Sequence, residues 1–169
     1  TFVTKIKETN QFPLRPKKLE ILQINLGYMC NQVCEHCHVD AGPDRKEIMT
    51  LETMNQCLEV IQKTAAHTLE EASKIGVKDF IVRSNLTIIR ANKKYQDLPE
   101  FFKKHNVHIV SSMPHWTRGK TDKQRGNGVF DKSIEALKML NKVGYGIENS
   151  ELKLDLVYNP SGAFLPGDQ

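Results

Sequence analysis

Apolar residues recur along the chain in two patterns, and these predict strands alternating with helices. Short apolar runs bounded by glycine, proline or polar residues indicate strands at 19–26, 78–86, 107–113 and 152–158. Apolar positions spaced three and four apart indicate helices at 50–75, 97–104 and 130–143. Strands that alternate with helices favour parallel βα units, so the chain is predicted to have an α/β fold.

The helix predicted at 50–75 is too long for a regular alternation of strands and helices. Thr50 can cap it, and its apolar positions continue as far as Ile75, which is long for a helix of a globular protein. In a βα unit the helix is about as long as the strands, so that the chain can return to the start of the next parallel strand. A helix of this length would carry the chain past that point. We therefore expect either that the sheet lacks a strand or that a segment is missing from the sequence.

Polar side chains follow several of the predicted strands. In parallel α/β folds, ligands bind at the carboxyl ends of the strands. The residues at such ends are the cysteine-containing loop after residue 26, Arg83 and Asn85, Ser111 and Ser112, and Tyr158 and Asn159. We expect these groups to share one rim, where Arg83, Asn85 and Ser111 are candidates to contact the ribose or carboxylate of a cofactor. Arginine suits a carboxylate best, because its planar guanidinium can donate two hydrogen bonds.

Three cysteines lie within eight residues, Cys30, Cys34 and Cys37, in the order C-N-Q-V-C-E-H-C. Three thiolates can bind three irons of a [4Fe–4S] cluster and leave the fourth iron open to a small molecule. That arrangement suits radical chemistry that starts from S-adenosylmethionine. The alternative is a structural Cys3His zinc site that includes His36 or His38, in a binding module.

The remaining cysteine, the net charge and the lengths of the apolar runs indicate where the protein works and which partners it has. Cys57 stands alone on a helical pattern and is predicted to be a buried small hydrophobe, and three clustered cysteines cannot pair evenly as disulfides. A reducing cytoplasmic location fits this cysteine usage. The net charge of +4 is scattered, which argues against a nucleic-acid partner, and no apolar run is long enough to span a membrane. His115 and Trp116 follow a proline that ends a strand and either border a substrate cavity or form a surface loop.

The segment 30–43, C-N-Q-V-C-E-H-C-H-V-D-A-G-P, resembles the cluster loop of radical SAM proteins. More narrowly, it is similar to the radical SAM proteins with a Cys-rich C-terminal domain that are associated with arsenosugar biosynthesis. Further blocks carry the resemblance at 83–87, 122–126, 130–137 and 156–160. The likeness runs from about residue 19 to the end of the chain.

The resemblance implies a fold and a cofactor site. It implies a partial (β/α)6 TIM-like barrel with parallel strands and outer helices, formed by a radical SAM core at 19–169 after an N-terminal extension at 1–18. The three clustered cysteines would bind the [4Fe–4S] cluster. His36 stands where the family has an aromatic ring, which implies packing beside the adenine of S-adenosylmethionine.

The activity implied is the reductive cleavage of S-adenosylmethionine to methionine and a 5′-deoxyadenosyl radical. Relatives couple the deoxyadenosyl group to a trivalent methylated arsenical, and a donor such as flavodoxin or ferredoxin would supply the electron. Two departures stand against this activity. The family's Gly-Gly-Ala-Pro turn, expected to receive the methionyl amino group, has no counterpart between Thr68 and Ala72, and the chain stops at Gln169 before the last barrel strand and the Cys-rich domain. A catalytically inactive remnant is therefore a further alternative.

Overall fold

The computed structural model describes residues 1–14, 21–35, 37–64 and 79–158. The elements in chain order are α1 (Phe2–Glu8), α2 (Leu51–Thr64), β1 (Ile81–Ser84), α3 (Ile88–Ala91), a 3₁₀ turn (Lys93–Tyr95), α4 (Leu98–Lys104), β2 (His108–Ser112), α5 (Arg118–Arg125), α6 (Val129–Val143) and β3 (Leu154–Val157). Within these ranges, no helix has both the length and the apolar character that crossing a bilayer requires.

The three strands form one parallel sheet in the order β1-β2-β3. Val82 pairs with Ile109, which in turn pairs with Leu154, so these three side chains lie on one face of the sheet. This arrangement confirms the predicted α/β class with parallel strands. Across the described ranges the sheet has three strands and does not close on itself, so the barrel stays a prediction.

The hydrophobic core lies between this face of the sheet and the helices. Ala136 and Leu140 of α6 are completely buried, four residues apart on the stripe of the helix that faces the sheet. Leu98 and Phe102 of α4 belong to the same cluster. The core therefore fixes α4 and α6 on one side of the sheet, and this positions the loops at the carboxyl ends of the strands.

Most of the predicted elements after residue 79 are confirmed. The observed α4, β2, α6 and β3 lie within one or two residues of the predicted segments, and Pro99 occupies the first turn of α4 as expected. Gly144 ends α6 with φ of +115°, a conformation that favours glycine over other residues. The 3.6-residue periodicity identified α4 and α6 because one side of each packs on the sheet.

The predicted buried strand at 19–26 is wrong where the structure describes it. Residues 21–26 form no strand, and Ile21 and Leu26 are 82% and 62% exposed. An apolar run becomes a buried strand only when a neighbouring strand pairs with its backbone and a second layer covers it. Among the described residues no strand pairs with 21–26; the Leu26 carbonyl oxygen accepts from the Met49 N–H, and Gly27 and Met29 form isolated bridges.

The long helix predicted at 50–75 is confirmed in its first half. Helix α2 spans Leu51–Thr64, and the backbone N–H of Thr53 donates to the hydroxyl of Thr50, which caps the helix as predicted. Residues 65–78, where the missing segment near 68–72 was predicted, lie outside the described residues. Cys57 is half-buried, so the prediction of a buried hydrophobe is too strong.

Tyr145 → Phe is expected to lower the free energy of unfolding by about 1 kcal/mol. The Tyr145 side chain is fully buried, and its hydroxyl donates to the carbonyl oxygen of Val107 at 2.7 Å. Burial raises the pKa of Tyr145 to about 12, so the hydroxyl keeps its proton at neutral pH. Urea unfolding measures the change, and Tyr95 → Phe, at a half-buried ring beneath Lys94, serves as the matched control. Equal stability of the wild type and Tyr145 → Phe would contradict the prediction.

Candidate functional site

The cysteine loop closes on itself at its base. Gly27 forms an antiparallel bridge with Ile48, and Met29 forms a parallel bridge with Gly42. Gly27 has φ of +152°, and a Cβ atom there would collide with the carbonyl oxygen of Glu47. Only glycine allows the two ends of the loop to approach so closely, and this approach defines the segment 27–48 as a closed loop.

A guanidinium group joins two parts of this loop. Arg45 donates to the carboxylate of Asp40 at 2.9 Å and to its carbonyl oxygen at 2.7 Å, and it also contacts both carboxylate oxygens of Glu47. The hydrogen bond from Arg45 lowers the pKa of Glu47 to about 2. Asp40 therefore orders the loop through Arg45, while His38 is exposed.

The three clustered thiols are close enough to influence one another. Cys30, Cys34 and Cys37 are all half-buried, and the backbone N–H of Cys37 donates to the carbonyl oxygen of Cys34. Burial raises the pKa of the Cys34 thiol; the positive charge of Arg125 opposes this rise, and negative charge on Cys30 and Cys37 adds to it. The loop thus collects three sulfurs beside a cation.

Two of the sulfurs accept hydrogen bonds from nitrogen. The Asn85 amide donates to Cys30 Sγ at 3.5 Å, and the backbone N–H of Ala41 donates to Cys37 Sγ at 3.2 Å. Hydrogen bonds to sulfur are the means by which proteins stabilise thiolate ligands and tune iron–sulfur potentials. In the part of the chain described, no group of three or more cysteine, histidine or acidic side chains is arranged to bind a single metal ion.

A network of side chains centred on the buried Thr87 and Gln32 joins the cysteine loop to the end of β1. The hydroxyl of Thr87 accepts hydrogen bonds from the amides of Asn31 at 2.9 Å and Gln32 at 2.8 Å, and it donates to Asn85 Oδ1 at 2.7 Å. All the hydrogen-bonding capacity of this hydroxyl is used. Asn85 also donates to Asn31, so two separate parts of the chain are linked at several points.

Helix α5 contacts the loop from a second direction. Arg125 donates to Gln32 Oε1 at 3.1 Å, and the backbone N–H of Glu35 donates to the carbonyl oxygen of Gln124. The thiol of Cys34 donates to the same Gln32 oxygen at 3.6 Å. The Gln32 side chain therefore bonds to three groups: its oxygen accepts from the Cys34 thiol and from Arg125, and its amide nitrogen donates to the Thr87 hydroxyl. The blocks that carry the resemblance include Gln32, Thr87 and Arg125, but no role was predicted for any of them, because their partners are distant in the chain.

The other predicted cofactor contacts have different surroundings. Asn85 lies at the end of β1 next to Cys30, as its strand-end position predicted. Ser111 is buried, and its hydroxyl donates to the Ser84 carbonyl oxygen at 2.6 Å, which joins β2 to β1. Arg83 is exposed on the face of the sheet opposite Val82. His36 lies outside the described residues, and the cofactor contacts of all four stay predictions.

Comparisons with known proteins give no family assignment. No family model, curated protein or solved structure matches the chain. The likeness to radical SAM proteins therefore depends on the cysteine spacing and its flanking blocks.

A buried histidine lies at the carboxyl end of β2. His115 Nδ1 accepts a hydrogen bond from the backbone N–H of Thr117 at 3.0 Å, the Thr117 hydroxyl oxygen lies 3.0 Å from the same nitrogen, and the His115 carbonyl oxygen accepts from the Thr121 hydroxyl. Burial, and secondarily the charge of Lys120, lowers the pKa of His115 below its usual 6.5. Because Nδ1 accepts from the Thr117 N–H, the neutral ring carries its proton on Nε2.

Thr87 → Val is expected to lower the free energy of unfolding by about 1 to 3 kcal/mol, because the buried amide of Gln32 loses its acceptor and the amide of Asn31 loses its own. It should also speed the reaction of the loop thiols with a disulfide reagent, since the loop would separate from β1 more often. Chemical unfolding and the rate of thiol modification measure the two effects. Thr53 → Val, at an exposed position of α2, is the matched control. A modification rate that stays at the wild-type value would contradict the anchoring role of Thr87.

The free energy of unfolding is expected to fall as the pH drops below about 6.5 through a contribution from His115. Below that pH the unfolded histidine binds a proton, whereas the folded one resists until its own lower pKa is reached, so the folded state loses relative stability. Urea unfolding between pH 7.5 and pH 5 should show a shallower dependence for His115 → Gln than for the wild type. His38 → Gln, at an exposed position of the cysteine loop, is the control for the loss of one histidine. Parallel curves for wild type and His115 → Gln would refute the assignment.

Proposed function

We propose that the chain is the core of a radical S-adenosylmethionine enzyme, in which Cys30, Cys34 and Cys37 bind a [4Fe–4S] cluster. The observation that carries the proposal is the closed loop that holds three half-buried cysteines, two of whose sulfurs accept hydrogen bonds from nitrogen. Three protein thiolates leave one iron of such a cluster open, and the amino and carboxylate groups of the cofactor would occupy it. When bound, the cluster would supply the electron that cleaves S-adenosylmethionine to methionine and a 5′-deoxyadenosyl radical.

The surrounding residues fit an iron–sulfur cluster chemically. The amide of Asn85 and the N–H of Ala41 would donate to ligand sulfurs, which stabilises their thiolate form. Arg125 would compensate part of the negative charge that three thiolates bring to a half-buried site. In a cubane each thiolate binds a different iron, whereas a zinc site needs four ligands around one ion.

The family resemblance extends the proposal to the reaction that follows. Coupling of the deoxyadenosyl group to a trivalent methylated arsenical would make S-adenosylmethionine a consumed substrate. A one-electron donor such as flavodoxin or ferredoxin would reduce the cluster. In this scheme Arg83, Asn85 and Ser111 would contact the ribose or carboxylate of the cofactor, and His36 would pack beside its adenine.

Replacing any one of Cys30, Cys34 and Cys37 with alanine is expected to abolish formation of the cluster, because each thiolate binds its own iron. Anaerobic reconstitution with iron and sulfide should give the wild type a broad visible absorption that dithionite bleaches. Cys57 → Ala, at the half-buried cysteine of α2, is the matched control and should load iron normally. A colourless wild type that contains zinc instead would favour the structural zinc module and refute the cluster.

The same reconstituted protein tests the chemistry. Incubation with S-adenosylmethionine and dithionite should release 5′-deoxyadenosine in the wild type and in Cys57 → Ala, as measured by chromatography. A protein that binds the cluster but never releases 5′-deoxyadenosine would be the inactive remnant, and the proposed activity would be wrong.

A further inference from the structure

Three rings meet beyond the carboxyl ends of β2 and β3, and we call His115, Trp116 and Tyr158 the aromatic platform. Trp116 stacks on Tyr158 with ring centroids 5.5 Å apart and planes 20° apart. His115 lies 4.2 Å from Trp116 and 5.7 Å from Tyr158, measured between centroids. His115 is 4% exposed and Trp116 is 61% exposed, so a buried ring supports one that faces solvent.

Hydrogen bonds fix the platform before any ligand arrives. The backbone N–H of Met113 donates to the carbonyl oxygen of Val157 at 3.0 Å, which ties the segment leading to Trp116 to the end of β3. Thr117 bonds to the His115 ring, and the buried hydroxyl of Thr121 donates to the His115 carbonyl oxygen at 2.6 Å. A ring that is already ordered loses little conformational freedom when a ligand binds to it.

This arrangement differs from a ring that is merely exposed. Scattered exposed aromatic residues are normal on protein surfaces, and Phe2, which is 74% exposed on α1, is such a case. Trp116 instead lies on two other rings, at the edge of a parallel sheet where ligands bind in α/β folds. An indole held in this way offers a flat surface suited to a second flat ring.

The first turn of α5 brings a cation to this end of the sheet. Lys120 directly precedes Thr121, whose hydroxyl donates to the His115 carbonyl oxygen at 2.6 Å. A ligand that combines a flat heteroaromatic ring with a negative group would satisfy both features. Bases stack on tryptophan whatever their hydrogen-bonding pattern, and a phosphate supplies the negative charge.

We propose that the aromatic platform binds a mononucleotide, whose base stacks on Trp116 and whose phosphate is attracted by Lys120. The proposal goes beyond the cluster chemistry and does not require it, because no cysteine of the loop takes part. It assigns a ligand-binding role to a segment that would otherwise be only a surface loop.

The sole tryptophan of the chain makes the test direct. The metal-free protein is titrated with AMP, adenosine and ribose 5-phosphate while Trp116 fluorescence is recorded. We expect saturable quenching by AMP, weaker binding of adenosine, no quenching by ribose 5-phosphate, and an AMP–adenosine difference that shrinks in high salt. Because the protein contains no iron and the probes contain no sulfonium, failure here leaves the cluster proposal untouched, and the reverse also holds.

Variants locate the site by equilibrium dialysis with labelled AMP. W116A should weaken AMP binding at least about fivefold, since stacking of one base contributes roughly that much, and W116F should restore part of the affinity. K120Q should bring AMP down to the affinity of adenosine, and F2A should bind like the wild type. Unchanged AMP binding in W116A, or quenching by ribose 5-phosphate, would overturn the proposal. A single-stranded oligonucleotide that binds more than tenfold tighter than AMP would also overturn it, in favour of a nucleic-acid surface.

Discussion

The candidate site depends on the hydrogen bonds that the Thr87 hydroxyl makes. This hydroxyl accepts from two amides of the cysteine loop and donates to the amide oxygen of Asn85 just beyond β1. The loop is not the continuation of a strand of the sheet, so it gains no fixed position from strand pairing. Its position relative to the sheet comes from these side-chain hydrogen bonds, together with the contacts that Arg125 and Gln124 make from helix α5.

The parallel sheet gives a common edge to groups that are far apart in the sequence. Asn85 leaves β1 toward Cys30, and Tyr158 follows β3 toward Trp116, so a cysteine loop and an aromatic surface both lie beyond carboxyl ends of strands. Parallel pairing forces this outcome, because all three strands point the same way. The same edge of the sheet therefore carries the cysteine loop next to β1 and the aromatic platform next to β2 and β3.

Elements could be predicted from the sequence where the pattern of their own apolar and polar side chains matches their burial in the fold. Helix α6 shows a regular apolar stripe that ends at Gly144, and the three-cysteine spacing stands out without any structure. Helix α5 was missed because its buried residues, Thr121 and Gln124, are polar and leave no apolar period. Residues 21–26 were misassigned for the opposite reason, since they are apolar but remain exposed. Burial there depends on a partner strand, which local sequence cannot reveal.

The buried amide network was also beyond sequence reasoning. Gln32 and Thr87 are 55 positions apart, and nothing in either local pattern indicates that one would accept from the other. Polar residues in loops usually face water, so their burial follows only from tertiary contacts.

Closure at Gly27 also determines how independent the loop is from the chain that leads into it. Because the two ends of the loop contact each other through Gly27 and Ile48, the geometry of the thiols is insulated from residues 21–26. Homologous sequences could therefore change length or composition before Gly27 without altering the spacing of the sulfurs. Variation should instead be excluded at the glycine itself, where even one methyl group would force the ends of the loop apart.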